Sequence, residues 1–175
     1  GGQDAVVVGG GFIGLEMAEN LHHRGLQVTI VEMAQQVMNV VDYEIAAEVH
    51  QHLKTKQVEF YLNDGVASFE GGDEFLTVTL KSGRKIATDL VILSIGVRPD
   101  TKLAKAAGLE IGSAGGIKVN PYLQTSDPDI YALGDAIEFP NPITGKPALT
   151  FLAGPANKQG RIAADNIAFG NRKTY

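Results

Sequence analysis

The 175-residue sequence contains no cysteine. That absence excludes disulfides, thiolate metal sites and a cysteine nucleophile within these residues. There is no excess of positive charge either: 15 lysines and arginines stand against 20 aspartates and glutamates, for a net charge of −5. The basic residues are scattered, and their only cluster is Asn171-Arg172-Lys173. Without a basic stripe to displace counterions, nucleic acid is not an expected partner. No long hydrophobic run occurs. The longest, residues 5–15 (interrupted by glycines) and 90–97, fall far short of the roughly 20 apolar residues of a membrane span. No signal peptide is visible, so no membrane partner and a cytoplasmic location are expected. Metal is not expected: His22, His23, His50 and His52 fall on predicted helices as adjacent or i, i+2 pairs, which do not share a helix face. All four are read as solvated surface residues.

What is present is a globular composition, 44 % apolar with a mean hydropathy near zero. The length suits one domain or slightly more. The 21 glycines fall at turns and close contacts rather than in low-complexity tracts. The chain opens without a methionine, directly into a strand, and stops soon after a helical pattern, as expected of a piece of a longer protein.

The pattern predicts an α/β fold. Residues 5–8 are a β-branched run typical of a buried parallel strand. Residues 12–24 read as a helix with Ile13, Met17 and Leu21 on one face and Gly25 as its stop. Residues 27–32 form the next strand, completing a β-α-β unit with a right-handed crossover. A helix over 42–56, with Ile45, Val49 and Leu53 inward, leads to a strand at 58–62. Residues 65–89 alternate without helical period and predict a β-meander of about three strands. Residues 90–96 return as a central parallel strand. A short helix at 101–107, a proline-rich loop over 139–147 and a final helix at 155–168 complete the chain.

The chemistry-bearing motif is Gly9-x-Gly11-x-x-Gly14, which follows a strand and opens a helix, with Glu32 ending the next strand. Gly9 makes the tight turn, Gly11 lets a pyrophosphate approach the helix N-terminus, and Gly14 lets helix and sheet pack closely. The N–H groups and dipole of that terminus favour an anion. Glu32 can accept hydrogen bonds from ribose hydroxyls. A glycine-rich packing turn is the plainer reading, and it leaves Glu32 unexplained. The Glu32 carboxylate would repel the 2′-phosphate of NADP, and residues 33–38 offer no arginine, so NADH is expected over NADPH. No tyrosine has a lysine four residues on, which argues against a short-chain dehydrogenase. The absence of cysteine argues against a zinc dehydrogenase.

A second pair, Gly134-Asp135, ends the apolar stretch Ile130-Tyr131-Ala132-Leu133, read as a short strand. A carboxylate at the carboxyl end of a parallel strand sits where such sheets bind ligands. An aspartate capping a turn is the alternative.

In order, "VVVGGGFIGLEMAE", "VTIVE", the meander, "LSIGVRPD" and "TSDPDIYALGDA" resemble the pyridine nucleotide-disulfide oxidoreductases. The ending "LAGPANKQGRIAADNI" is most similar to their coenzyme A-disulfide reductase and NADH-dependent persulfide reductase branch. The resemblance covers nearly the whole chain. It implies a Rossmann-like NAD(H)-binding domain at 1–114, with a β-meander crossover, and an incomplete FAD-domain segment at 115–175. It further implies that Phe12 (often tyrosine in relatives) and Ile13 lie between nicotinamide and flavin. By the same resemblance Glu16 reaches the nicotinamide carboxamide, and Gly96 leaves room for it. Asp135, after Gly134, would bond a ribityl hydroxyl of FAD, and Leu152 and Ala153 would lie beside the flavin pyrimidine ring. The final helix would aim its positive end at that ring. Phe151 stands where close relatives have proline, and Asp100 where asparagine is common; the latter carries no assigned role.

The implied full-length enzyme is a homodimer that passes hydride from NADH to FAD and reduces a small-molecule disulfide or persulfide, such as a coenzyme A derivative. These residues contain no catalytic residue of their own, and the single fingerprint is already assigned to NAD. They are expected to bind NADH, to hold FAD weakly or not at all, and to be inactive alone. An NADH oxidase or peroxidase fragment and a non-catalytic NADH-sensing module remain the alternatives. A sensor has no need of flavin contacts at Asp135 and the final helix.

Overall fold

The structure, a computed structural model, describes residues 3–72 and 74–175; Asp73, in the expected meander, lies outside them. Strand β1 (Asp4–Val8) leads through helix α1 (Phe12–His23) to β2 (Gln27–Val31), and helix α2 (Tyr43–Thr55) leads to β3 (Glu59–Tyr61). Three antiparallel strands follow, β4 (Val66–Gly71), β5 (Leu76–Leu80) and β6 (Lys85–Thr88), before β7 (Leu90–Leu93). Among the described residues, β3-β2-β1-β7 form one parallel sheet in that order.

The Val-rich β1 explains the layering. Its side chains alternate: Ala5 and Val7 join a core with Ala18 and Leu21 of α1, Ile30 of β2 and Leu53 of α2. Val6 and Val8 face the other way, onto Val78 and Leu80 of the meander. Helices thus cover one face of the sheet and the meander the other. A strand buried on both faces must be apolar at every position, as this one is from Ala5 to Val8.

Both helices are rotated about one residue from the expected face. Helix α1 buries Gly14, Ala18 and Leu21, leaving Ile13 at 53 % exposure. Helix α2 buries Ala46, His50 and Leu53, with Ile45 exposed. The small residues win because they let the helix axis approach the sheet; a large aliphatic at 13 or 45 would hold it off. This corrects the reading of His50 as a solvated residue. It is 8 % exposed, and its Nε2 accepts a hydrogen bond from the Val37 N–H at 3.2 Å. The helix period was right, but the choice of face favoured the largest apolar residues.

The helices end alike. At α1, the N–H of Gly25 bonds the His22 carbonyl and that of Leu26 the Leu21 carbonyl, the two bonds of a Schellman cap. At α2 the same pair runs from Gln57 to Lys54 and from Val58 to Leu53. Here the left-handed position is held by Gln57, with φ of 59°.

Two compact units divide the chain, the first ending at Gly96 and the second running from Val97 to Tyr175. The second contains α3 (Lys102–Ala106), β8 (Ile117–Lys118), β9 (Ile137–Pro140), β10 (Pro147–Ala148) and α4 (Ala153–Phe169). Its core gathers Leu123, Ile137, Ile162 and Ala163. The buried Asn166 fastens the final residues. Its Nδ2 donates to the carbonyls of Tyr122 (3.0 Å) and Lys173 (2.8 Å), and its Oδ1 accepts from the N–H groups of Arg172 and Lys173.

Four further expectations differ from what is found. Residues 130–133 are not a laddered strand, because Tyr131 makes only an isolated bridge to Gln124. The stretch 139–147 is not a plain loop: β9 and β10 pair antiparallel across it, Pro140 opposite Pro147, in a hairpin. The last parallel strand stops at Leu93 rather than continuing to 96. Helix α4 starts two residues early, which Pro155 permits because the first helical turn needs no N–H donor.

Because a non-glycine residue in the left-handed region costs about 1 kcal/mol, Gln57→Gly is expected to stabilise the first unit by about 0.5–1 kcal/mol. Urea unfolding of the two proteins side by side measures the change, and a loss of stability would contradict the assigned cap.

Candidate functional site

The order of the parallel sheet sets where a ligand can sit. From β1 the chain lays β2 and β3 to one side and later returns β7 to the other. The carboxyl end of β1 is therefore the switch point, where open α/β sheets bind ligands. A crevice of about 500 Å³ opens there, lined by Gly9, Gly11, Glu32, Asp64, Ser94 and Gly96 among others.

The three motif glycines answer to different constraints. Gly9 has φ of 107°, and a Cβ on it would fall onto the Ser94 carbonyl. A Cβ on Gly14 would fall onto the Gly9 carbonyl, so α1 rests on β1 backbone to backbone. Gly11 has neither reason. Its φ of −78° suits any residue, and a Cβ there would meet nothing within 4 Å. It forms the N-cap of α1 without a side-chain cap bond. The N–H groups of the first turn, at Phe12, Ile13 and Gly14, have no carbonyl one turn back to bond.

Glu32 is half-buried and holds the glycine loop. Its Oε2 accepts from the Gly10 N–H at 2.6 Å and its Oε1 from the Ala34 N–H at 2.8 Å. Each carboxylate oxygen keeps a second lone pair, so hydroxyl donors in the crevice can still be accepted. A second carboxylate stands on the same wall. The Ser82 side chain, with the Ser82 and Gly65 N–H groups and the Arg84 charge adding to it, holds the Asp64 carboxyl below its ordinary range. Ser94 faces the glycines, and its buried Oγ has no hydrogen-bond partner among the described residues. Open space at Gly11, donor N–H groups, two carboxylates and an orphaned hydroxyl fit a dinucleotide with an anionic centre and a ribose. Asp64 and Ser94 were not singled out from the sequence; Asn63-Asp64-Gly65 after a strand was the available signal for the first.

The remaining expected residues of this unit lie beside the crevice. Phe12, 59 % exposed, and Glu16 line an adjoining groove between α1 and α2, with Leu15, Met38, Val49 and Leu53. Ile13 is exposed next to them. The structure therefore brings Gly9, Gly11, Glu32 and Gly96 together, sets Gly14 behind them as packing, and leaves Phe12, Ile13 and Glu16 at the margin.

In the second unit, Gly134–Ala136 is a 3₁₀ turn that precedes β9. The Gly134 N–H donates to Oε1 of the buried Gln159 of α4 at 2.7 Å. That bond ties the turn to the N-terminal half of α4. Asp135 is exposed at the turn, and Leu152, the N-cap of α4, and Ala153 are exposed at the helix start. Asp135 thus sits on a turn rather than at the end of a paired strand, because residues 130–133 have no ladder to end. A carboxylate acceptor and a 17-residue helix whose N-terminus lacks acidic residues fit part of a site for a hydroxyl-bearing, electron-accepting ring.

Among the described residues no group of histidines, cysteines, aspartates or glutamates could hold a metal ion. No helix among them is long and apolar enough to cross a membrane.

The family described as pyridine nucleotide-disulphide oxidoreductase matches residues 1–159. The NADH oxidase of Methanocaldococcus jannaschii is 40 % identical across 100 % of this chain and 39 % of its own length. Two solved structures superimpose closely. Reduced CoADR-RHD of Bacillus anthracis has a TM-score of 0.94 at 52 % identity, over 99 % of this chain and 31 % of that one. An NAD-dependent persulfide reductase from A. fulgidus has a TM-score of 0.96 at 38 % identity, over 100 % of this chain and 32 % of that one. The chain thus spans less than two fifths of each of these proteins.

The glycine geometry predicts opposite outcomes at two neighbouring positions. Gly9→Ala is expected to cost about 2–4 kcal/mol through strain and collision. Gly11→Ser is expected to leave stability unchanged or raise it by up to about 0.5 kcal/mol through a new N-cap. Thermal and chemical unfolding distinguish them, and equal losses would refute the assignment.

Proposed function

The chain belongs to the pyridine nucleotide-disulphide oxidoreductase family, and from that premise we propose that residues 1–114 form the NADH-binding portion of an FAD-dependent oxidoreductase. Residues 115–175 contribute part of its FAD site. The observation that carries the reading is Gly11: its missing side chain answers to nothing inside the protein, and the space left open borders the α1 N-terminus and Glu32. A dinucleotide pyrophosphate needs that space and those N–H donors.

In this reading Gly9, Gly11 and Gly14 shape the pyrophosphate cradle and Glu32 receives the adenosine ribose hydroxyls. Glu32 and Asp64 together disfavour a 2′-phosphate by like-charge repulsion, which selects NADH over NADPH. Phe12 and Ile13 shield the nicotinamide from water, Glu16 orients its carboxamide, and Gly96 leaves its face open. Gly134, Asp135, Leu152 and Ala153 hold the flavin from the second unit, with the α4 dipole favouring negative charge on the ring. When bound, NADH would supply hydride and FAD would accept it, the chemistry needed for reducing a disulfide or persulfide with proton uptake. The first unit's own contribution is to hold the nicotinamide in a fixed orientation, and the second unit's is to hold part of the flavin.

The acceptor assigned is a small disulfide or persulfide of the coenzyme A type, because the proteins the chain resembles include an NAD-dependent persulfide reductase and a coenzyme A disulfide reductase. The whole protein is a cytoplasmic homodimer.

Isothermal titration calorimetry should show that the chain binds NADH, binds NADPH at least about tenfold more weakly, and loses at least about tenfold in NADH affinity on Gly11→Ser. Equal NADH affinity in the wild type and Gly11→Ser would overturn the reading. The chain alone should show no disulfide-dependent NADH oxidation and no stoichiometric flavin. In the flavoprotein that contains it, coenzyme A disulfide or persulfide should outpace oxygen and peroxide as acceptor; the reverse order would make it an NADH oxidase or peroxidase.

A further inference from the structure

His50 is the one buried histidine among the described residues. Its surroundings connect it to the glycine loop in three steps. Nε2 of His50 accepts the Val37 N–H at 3.2 Å. Val37 is fully buried, and its side chain fills the space beside Gly10, where a Cβ would lie 2.9 Å from Val37 Cγ1. The next residue, Met38, donates its N–H to the Gly10 carbonyl at 2.8 Å. Gly10 lies between Gly9 and Gly11, and its own N–H is held by Glu32 at 2.6 Å. Residues 37 and 38 are thus bonded on one side to His50 and on the other to the glycine loop.

We propose that His50 is a positioning residue for the dinucleotide cradle, holding residues 37–38 against Gly10 and so holding Glu32 and the glycine loop in their binding geometry. The inference rests on the nucleotide reading above and adds to it a residue that touches no part of the ligand. It depends on one tautomer. A neutral imidazole with its proton on Nδ1 presents Nε2 as an acceptor; an imidazolium presents two donors. Protonation would set a donor against the Val37 N–H and release residues 37–38.

The groups facing the ring favour the neutral form. From its own helix come Lys54, a like charge, and Tyr43, whose ring lies edge-on at 6.4 Å. From β3 comes the uncharged Phe60, stacked at 5.3 Å. No carboxylate is among them to stabilise an imidazolium. Burial, and then Lys54, lower the His50 pKa from its ordinary 6.5. The sign follows: with the folded value depressed, the contribution of His50 is complete above the unfolded value of 6.5 and is lost as pH falls through the lower folded value.

The test titrates the chain with NAD⁺, the acid-stable form of the nucleotide, at pH 8.0 and at the lowest pH at which the chain stays folded, using wild type, His50→Gln and His50→Leu. Glutamine places an amide oxygen near the Nε2 position and does not titrate in this range; leucine fills the space without an acceptor. Wild-type affinity should fall at least about threefold at the lower pH, the behaviour of one lost positioning hydrogen bond. His50→Gln should keep near wild-type affinity and change less than about twofold between the two pH values, and His50→Leu should bind weakly at both. In wild type without nucleotide, hydrogen exchange of the Val37 amide should accelerate beyond its intrinsic pH dependence as His50 protonates. Absence of wild-type binding at pH 8.0 would overturn the nucleotide reading itself. Wild-type binding with the same pH profile as His50→Gln, or a Val37 amide indifferent to His50 protonation, would overturn the positioning role alone.

Discussion

The first unit is organised by a contact between backbones. Helix α1 approaches β1 so closely that a Cβ on Gly14 would occupy the position of the Gly9 carbonyl oxygen. Nothing larger than hydrogen fits there, and the geometry of the site depends on it. With α1 seated this low, its N-terminus opens directly at the carboxyl end of β1. The loop between them is short enough for Glu32, at the end of the neighbouring strand, to reach the Gly10 N–H. The same proximity makes Ala18 and Leu21, rather than Ile13 and Met17, the residues that meet the sheet. Apolar burial supplies the bulk of the stabilisation, about 1.5–3 kcal/mol for each fully buried aliphatic side chain. The glycines decide only how close the layers come.

The second unit uses side-chain amides where the first uses glycine. Gln159 fixes the turn at Gly134, and Asn166 satisfies four backbone groups of the final residues and of Tyr122. Buried amides of this kind specify a position because leaving any partner unmet costs about 1–3 kcal/mol. The unit also keeps apolar side chains in the open: Leu152, Ile167 and Phe169 are each at least 60 % exposed on or beside α4.

Much of the fold was legible along the chain because its signals are local. A β-branched run, a glycine fingerprint, an acid at the next strand's end and alternating residues 65–89 need no knowledge of distant contacts, and each corresponds to an observed element. What was misread depended on distance. The face of a helix that turns inward is set by what it packs on, so Ile45 was favoured over Ala46 and His50. Residues 130–133 look like a strand, yet a strand exists only where a neighbour offers a ladder, and Tyr131 has one bridge. The turn of 139–147 was hidden by its prolines, although Pro140 and Pro147 sit opposite each other at a hairpin end.

The candidate site divides in the same way. Residue types and spacing by themselves determined that Gly9, Gly11, Gly14 and Glu32 belong together, since the motif is a property of one continuous β-α-β segment. Only the tertiary structure decided that Gly9 and Gly14 are explained by the fold while Gly11 is not, because that distinction requires knowing which atoms lie where a side chain would be. It also decided that Asp64 shares the crevice wall and that His50, 18 residues beyond Glu32 in sequence, braces the loop. Those relations arise from strands and helices meeting side by side, and proximity of that kind is not encoded in any local run of residues.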